Sequence, residues 1–325
     1  MASSEEFGSA RAEQSAAGIL FLEMALAEHH SPRRIWTSTE KFVDFVLVSF
    51  YKVCSTLGRA DHGRESPYEA AMSKSFLALV LLERPVTPDM VALAEAVRRR
   101  HPELATKMDV GQGSAGGSVL RCGDQLIAVM SMPAPIPQDP GLWSRAAPAW
   151  PEAGTVAARH RGHLIVSVLG QNQPLLSKAR LMTAVIGALI ATAPECCAVV
   201  WDAKVARPAD LWLHLSRQSF APFPDYPFPL WVDVLPFRSR KGIGAVTLGL
   251  TAFVDREIQF ESSRLPLDAL VEKVEGLVVY LIEHGRVLKD GDTFGGDAKE
   301  RMAIRYKNSD QFNGMPVFLC TDGSL

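Results

Sequence analysis

A chain of 325 residues with 47 % apolar residues and a formal charge of −2 can bury a sizeable core, which excludes a globally disordered protein. A pI near 6.5 gives no electrostatic reason to expect nucleic acid or an anionic membrane as partner. The five cysteines include no C-x-x-C pair, so they read as thiols of a reducing cytoplasm rather than a disulfide framework.

Residues 1–71 read as an N-terminal extension, with a helix expected over Arg11–Glu28 and a break at His29-His30-Ser31-Pro32. The opening MASSEEFGSA is acidic, unlike the basic start of a signal peptide. No stretch reads as long enough to cross a bilayer, which takes about 20 apolar residues. Phe42–Tyr51 is interrupted by Asp44, and Leu181–Ala193 is short and follows Lys178 and Arg180. Met72 is the expected start of the folded unit, because order begins directly after it with a strand at Phe76–Leu82.

Residues 72–132 form a first α/β half. Thr87 is the expected cap of a helix with Pro88 at its first position and Met90, Leu93, Ala94 and Val97 on one face. Arg98-Arg99-Arg100-His101 places positive charge at its negative end. The run GQGSAGG within Met108–Ser118 lacks the Lys-Ser/Thr ending and following helix of a phosphate loop, and reads as a connector. Gly123-Asp124 between Val119–Cys122 and Gln125–Met130 is a two-residue hairpin signal. Six prolines then mark 133–151 as an extended connection.

Residues 152–325 form a second half that repeats the order strand, helix, strand, strand. Leu164–Leu169 is a strand, and Asn172 with Pro174 opens a helix buried through Leu181, Ala184, Val185, Ala188 and Leu189. Ala198–Trp201 is a strand and 208–229 a loop. Leu230–Phe237 and Ala245–Phe253 pair as strands, with Glu257–Phe260 as a third. A long helix runs from Pro266 to a stop at Gly285, and Met302–Tyr306 and Met315–Leu319 close the chain as short strands. The expected class is α+β, with mixed or antiparallel sheets and helices packed on one face.

Four blocks carry a family resemblance: Ala157-Ala158-Arg159-His160-Arg161-Gly162-His163, Ala198-Val199-Val200-Trp201, Thr247-Leu248-Gly249-Leu250 with Glu257, and His284-Gly285 through Leu288-Lys289-Asp290-Gly291-Asp292-Thr293. Together they resemble a bacterial family known as domain of unknown function 4261, over about residues 76–320. The resemblance implies a bacterial, soluble α+β protein and supplies no catalytic residues. It also points to company with secretion-toxin loci, and so to an immunity- or adaptor-like role.

Lys289–Gly295 is the sharpest chemical candidate, since Asp290 and Asp292 flank a glycine beside Thr293 and offer oxygen ligands to Mg²⁺ or Ca²⁺. The stretch departs from the EF-hand pattern, and the competing reading is a tight turn whose carboxylates bond backbone amides. His160 and His163 are candidate bases or ligands, weighed against structural histidines, one of them bonding the Trp201 or Asp202 region. No G-x-S-x-G elbow, H-E-x-x-H or paired-cysteine motif is present. Between Leu211 and Trp231 the rings of Trp212, Phe223, Tyr226 and Trp231 alternate with prolines, which suits a protein-binding surface as well as a self-packed loop. The balance favours a non-catalytic binding protein with another protein as partner and no cofactor, a divalent cation at the acidic turn being the exception. The alternative is a metal-assisted hydrolase or phosphate-binding enzyme built on Asp290, Asp292 and a histidine.

Overall fold

The computed structural model describes residues 76–105, 108–111, 118–169, 173–239, 242–295 and 301–321. The helix expected over Arg11–Glu28, the start at Met72, the centre of the glycine-rich loop and Asn172 lie outside the described residues. The chain is α+β and divides into two compact units. The first runs to Gln173 and resumes over Leu181–Arg217, and the second comprises Pro174–Arg180 and Gln218 onward.

The first unit is built on a seven-stranded antiparallel sheet. Its strands are β1 (Leu77–Leu82), β2 (Met108–Gly111), β3 (Ser118–Cys122), β4 (Gln125–Met132), β5 (Gly162–Leu169), β6 (Cys196–Trp201) and β7 (Val205–Pro208), in the order β2-β3-β4-β5-β1-β6-β7. Every residue of β1 is buried, because it lies between β5 and β6 with both faces covered. Leu77, Leu79 and Leu81 face a cluster that includes Ile136, Leu142, Trp143, Trp150 and Ala157. The proline-rich segment is therefore a folded lid on one face of the sheet. It carries α2 (Pro140–Ala146), capped by the Asp139 side chain on Leu142 N, and α3 (Ala153–Arg159) follows it.

On the opposite face Trp201 lies 5.0 Å from Phe76 and 5.9 Å from Trp212, ring centre to ring centre. Trp212 sits in α5 (Ala209–Leu215), within the stretch read from sequence as a loop. Helix α1 (Met90–Arg100) starts later than expected: its cap is Asp89, whose carboxylate accepts from Val91 N and Ala92 N, not Thr87. The basic residues at its end serve the fold. Arg98 donates to Met108 O, and Arg100 donates to Leu213 O and to Ser216 Oγ, both at 2.8 Å. The Gly123 turn between β3 and β4 forms as expected, with φ +59°.

Helix α4 (Leu175–Thr192) carries Lys178 and Arg180 but is long and apolar enough on average to qualify as a candidate membrane span by length and composition, against the sequence expectation. Two thirds of it (67 %) is buried, the pattern of a core helix.

The second unit carries a six-stranded mixed sheet. Its strands are β8 (Asp233–Ser239), β9 (Gly242–Leu248), β10 (Glu257–Ser262), β11 (Thr293–Phe294), β12 (Met302–Asn308) and β13 (Pro316–Thr321), in the order β11-β12-β13-β10-β9-β8. The parallel pair is β10 with β13. The expected strand Ala245–Phe253 ends at Leu248, because Gly249 at φ +104° leads into a helical turn, α6 (Thr251–Val254). Helix α7 (Leu267–His284) begins after Pro266 and stops at Gly285, as its spacing dictates. It buries Leu270, Val274, Val278 and Leu281, and packs on β8, β9 and β10. Along β10 the apolar Ile258 and Phe260 alternate with Glu257, Gln259 and Glu261, so one sheet face is core and the other is polar.

Candidate functional site

Glu257 is 1 % exposed, and its carboxylate accepts five hydrogen bonds. Oε2 takes the Thr247 hydroxyl at 2.7 Å and Leu250 N at 3.1 Å, while Oε1 takes Gly249 N, Thr251 N and the Thr251 hydroxyl. A buried carboxylate that accepts this many hydrogen bonds is spent on its donors. It clamps the turn from β9 into α6 against β10, which is structural work.

The acidic turn is engaged in the same way. Asp292 Oδ2 accepts from Lys289 N at 2.7 Å, and Asp290 Oδ1 accepts from Tyr306 N at 2.8 Å. Gly291, at φ +90°, donates its N–H to Ile304 O, and Ile304 N donates to Asp292 O, so the turn is stitched to β12. The Tyr306 hydroxyl donates to Leu288 O, and Arg256 lies 4.4 Å above the Tyr306 ring. Each aspartate keeps one oxygen clear of these backbone amides, and Arg305 stands 4.0 Å from that of Asp290. Among the described residues no group of three or more His, Cys, Asp or Glu is arranged to hold a metal ion.

His160 and His163 lie in the first unit and both are buried. His160 Nδ1 meets Ala157 O at 2.6 Å and Nε2 meets Ile136 N at 2.9 Å. An acceptor at one nitrogen and a donor at the other fix the neutral tautomer with its proton on Nδ1. His163 Nδ1 donates to Ala134 O at 2.7 Å. Burial lowers both pKa values, that of His163 to about 4. The two rings tie 134–136 to the α3–β5 junction through these backbone groups.

The four rings separate. Trp212 and Trp231 are fully buried, and Tyr226 nearly so. The Tyr226 hydroxyl donates to Val279 O at 2.6 Å, its ring stacks 5.8 Å from Trp231, and Trp231 lies 5.8 Å from Phe253. Phe223 alone is outside, 47 % exposed, with its ring 6.0 Å from His284, which in turn lies 4.5 Å from Tyr280. Tyr280 is 41 % exposed. Tyr280 and His284 were not singled out as binding residues from sequence, although their spacing of four places them on one face of a helix that the pattern did reveal.

These features define an α+β protein whose singled-out polar groups brace turns and whose outward aromatic surface is Phe223, Tyr280 and His284. Residues 246–318 match the family described as Domain of unknown function (DUF4261), the family that the sequence resembles. The match spans β9 to β13 and includes Glu257, His284 and the acidic turn, but not the blocks at 157–163 and 198–201. No curated protein and no solved structure matches the chain.

Proposed function

We infer that the chain is a bacterial cytoplasmic, non-catalytic binding protein, immunity- or adaptor-like, that docks a partner protein through Phe223, Tyr280 and His284. The observation that carries this reading is the exposure of that ring cluster, because large rings left in solvent at one place supply contact area at small entropic cost. The engagement of Glu257, Asp290, Asp292 and both histidines with the backbone supports it, since groups so bound are poorly placed to serve as bases or ligands. The thiols of Cys196, Cys197 and Cys320 are in no disulfide, as a reducing compartment would keep them. The test is affinity capture from the native cell with the full chain and with Phe223→Ser/Tyr280→Ser. A stoichiometric protein retained by the former and lost by the latter is expected. Recovery of no such protein, or equal recovery by both, contradicts the reading.

A further inference from the structure

Helix α7 breaks local rules of helix formation at one place on its exposed side. Gly276 stands in the interior of the helix, where glycine is the poorest residue after proline. Its backbone is helical, so no turn demands it. A Cβ built there meets no heavy atom within 4 Å among the described residues, so no close packing inside the molecule demands it either.

Glu272 and Glu275, just before it, set like charges one turn apart on the helix surface, which opposes helix formation. Burial first, and then the Glu272 carboxylate, push the Glu275 carboxyl above its usual range. Tyr280 adds an exposed ring one turn after Gly276. Glu272, Gly276, Tyr280 and His284 follow one another at intervals of four and are all exposed, so they form a single ridge. Local choices that work against their own element, with no gain inside the molecule, belong to surfaces where the gain comes from outside.

The ridge also carries a charge for a partner to match. Helix α7 has four carboxylates, Asp268, Glu272, Glu275 and Glu283, against one ammonium, Lys273. Glu283 is already approached by Arg180 at 4.0 Å. The Glu272–Glu275 pair is therefore where a partner's cation relieves the most repulsion. From Glu272 to Tyr280 the helix rises about 12 Å, the reach of roughly four extended residues.

We propose that the docking surface runs from the rings along α7 to Glu272, and that the partner lays a lysine-bearing segment on it, its backbone crossing the helix at Gly276. The missing Cβ lets that backbone approach, the rings take its apolar side chains, and the carboxylate pair takes its ammonium group. This rests on the docking reading of Phe223, Tyr280 and His284, and adds the partner's path and charge.

The test repeats the capture from the native cell with the full chain, with Gly276→Gln and with Glu272→Arg. Carbodiimide, which joins touching carboxylates and amines with no spacer, is then applied to the captured complex and the linked peptides are mapped. Gly276→Gln should melt no lower than the parent, because it gains helix propensity and meets no neighbour, yet retain the partner about tenfold less or worse. Glu272→Arg should lose it to a similar extent, and coupling should join Glu272 or Glu275 to a lysine of the partner. Should Gly276→Gln melt below the parent, Glu272→Arg decides, since Glu272 is exposed. A partner lost by Phe223→Ser/Tyr280→Ser but held by Gly276→Gln and Glu272→Arg overturns this inference while the docking reading stands. Capture of no partner by the parent chain overturns both. Coupling that reaches no lysine of the partner overturns the basic segment.

Discussion

The hydroxyl of Thr247 donates to Glu257 Oε2 and accepts from Ile258 N, both at 2.7 Å, so one side chain links the carboxylate to its own strand's next amide. Truncating Glu257 strands several buried donors at once. Glu257→Ala is therefore expected to destabilise the chain by about 3–5 kcal/mol in urea unfolding. A loss below about 1 kcal/mol would show that the donors find other partners.

Asp292 is expected to behave as a turn residue. Asp292→Ala removes the acceptor of Lys289 N and should cost about 1 kcal/mol. With one oxygen of each carboxylate already given to a backbone amide, titration of the chain with Mg²⁺, Mn²⁺ or Ca²⁺ should give no heat that Asp292→Ala abolishes. Heat lost in the variant would instead favour the metal-assisted alternative.

Acid should weaken the first unit through its histidines. Burial lowers the His163 pKa from 6.5 to about 4, so between those values the unfolded chain takes up a proton that the native ring refuses. Stability then falls as the pH drops through that window, by about 3 kcal/mol for this group alone, and is restored on returning to neutral pH. His160 and His101 are shifted in the same direction, both chiefly by burial. His163→Asn keeps a donor for Ala134 O without the titration. Unfolding free energies measured at pH 7 and pH 4.5 should differ less in this variant, and an unchanged difference would refute the assignment.

Close packing in the first unit gives another expectation. A Cβ on Gly187 would stand 1.9 Å from Ser216 Oγ and 2.5 Å from Ser216 Cβ. Gly187→Ala should therefore destabilise by about 1–3 kcal/mol despite its better helix propensity, and Ser216→Gly should relieve part of that loss in the double variant. Simple gain of stability in Gly187→Ala would contradict the packing.

Legibility in the sequence followed the range of the forces involved. Helix α7 was readable because its apolar spacing, Pro266 and Gly285 are local signals, and the β3–β4 hairpin because Gly123 takes the left-handed position itself. Strand β7 was missed because its turn places Asp202 and Ala203 at φ +47° and +55°, positions that no glycine marks. Helix α2 was hidden by prolines read as extended chain, although Asp139 before Pro140 is a cap followed by a first-turn proline. The site was less readable still. Nothing local distinguishes Trp231, fully buried, from Phe223, exposed, since an irregular segment has no period to sort its faces. Glu257 could be quoted as part of a motif, but its role depends on donors brought back from 247–251 by the fold.

Docking of a partner protein at Phe223 is open to photo-crosslinking in the native cell. Benzoylphenylalanine would be placed at Phe223 and, as a control, at Val91, which is 60 % exposed on α1 in the other unit. One discrete heteromeric adduct is expected from position 223 and none from position 91. No adduct at 223, or the same adducts from both positions, would contradict it.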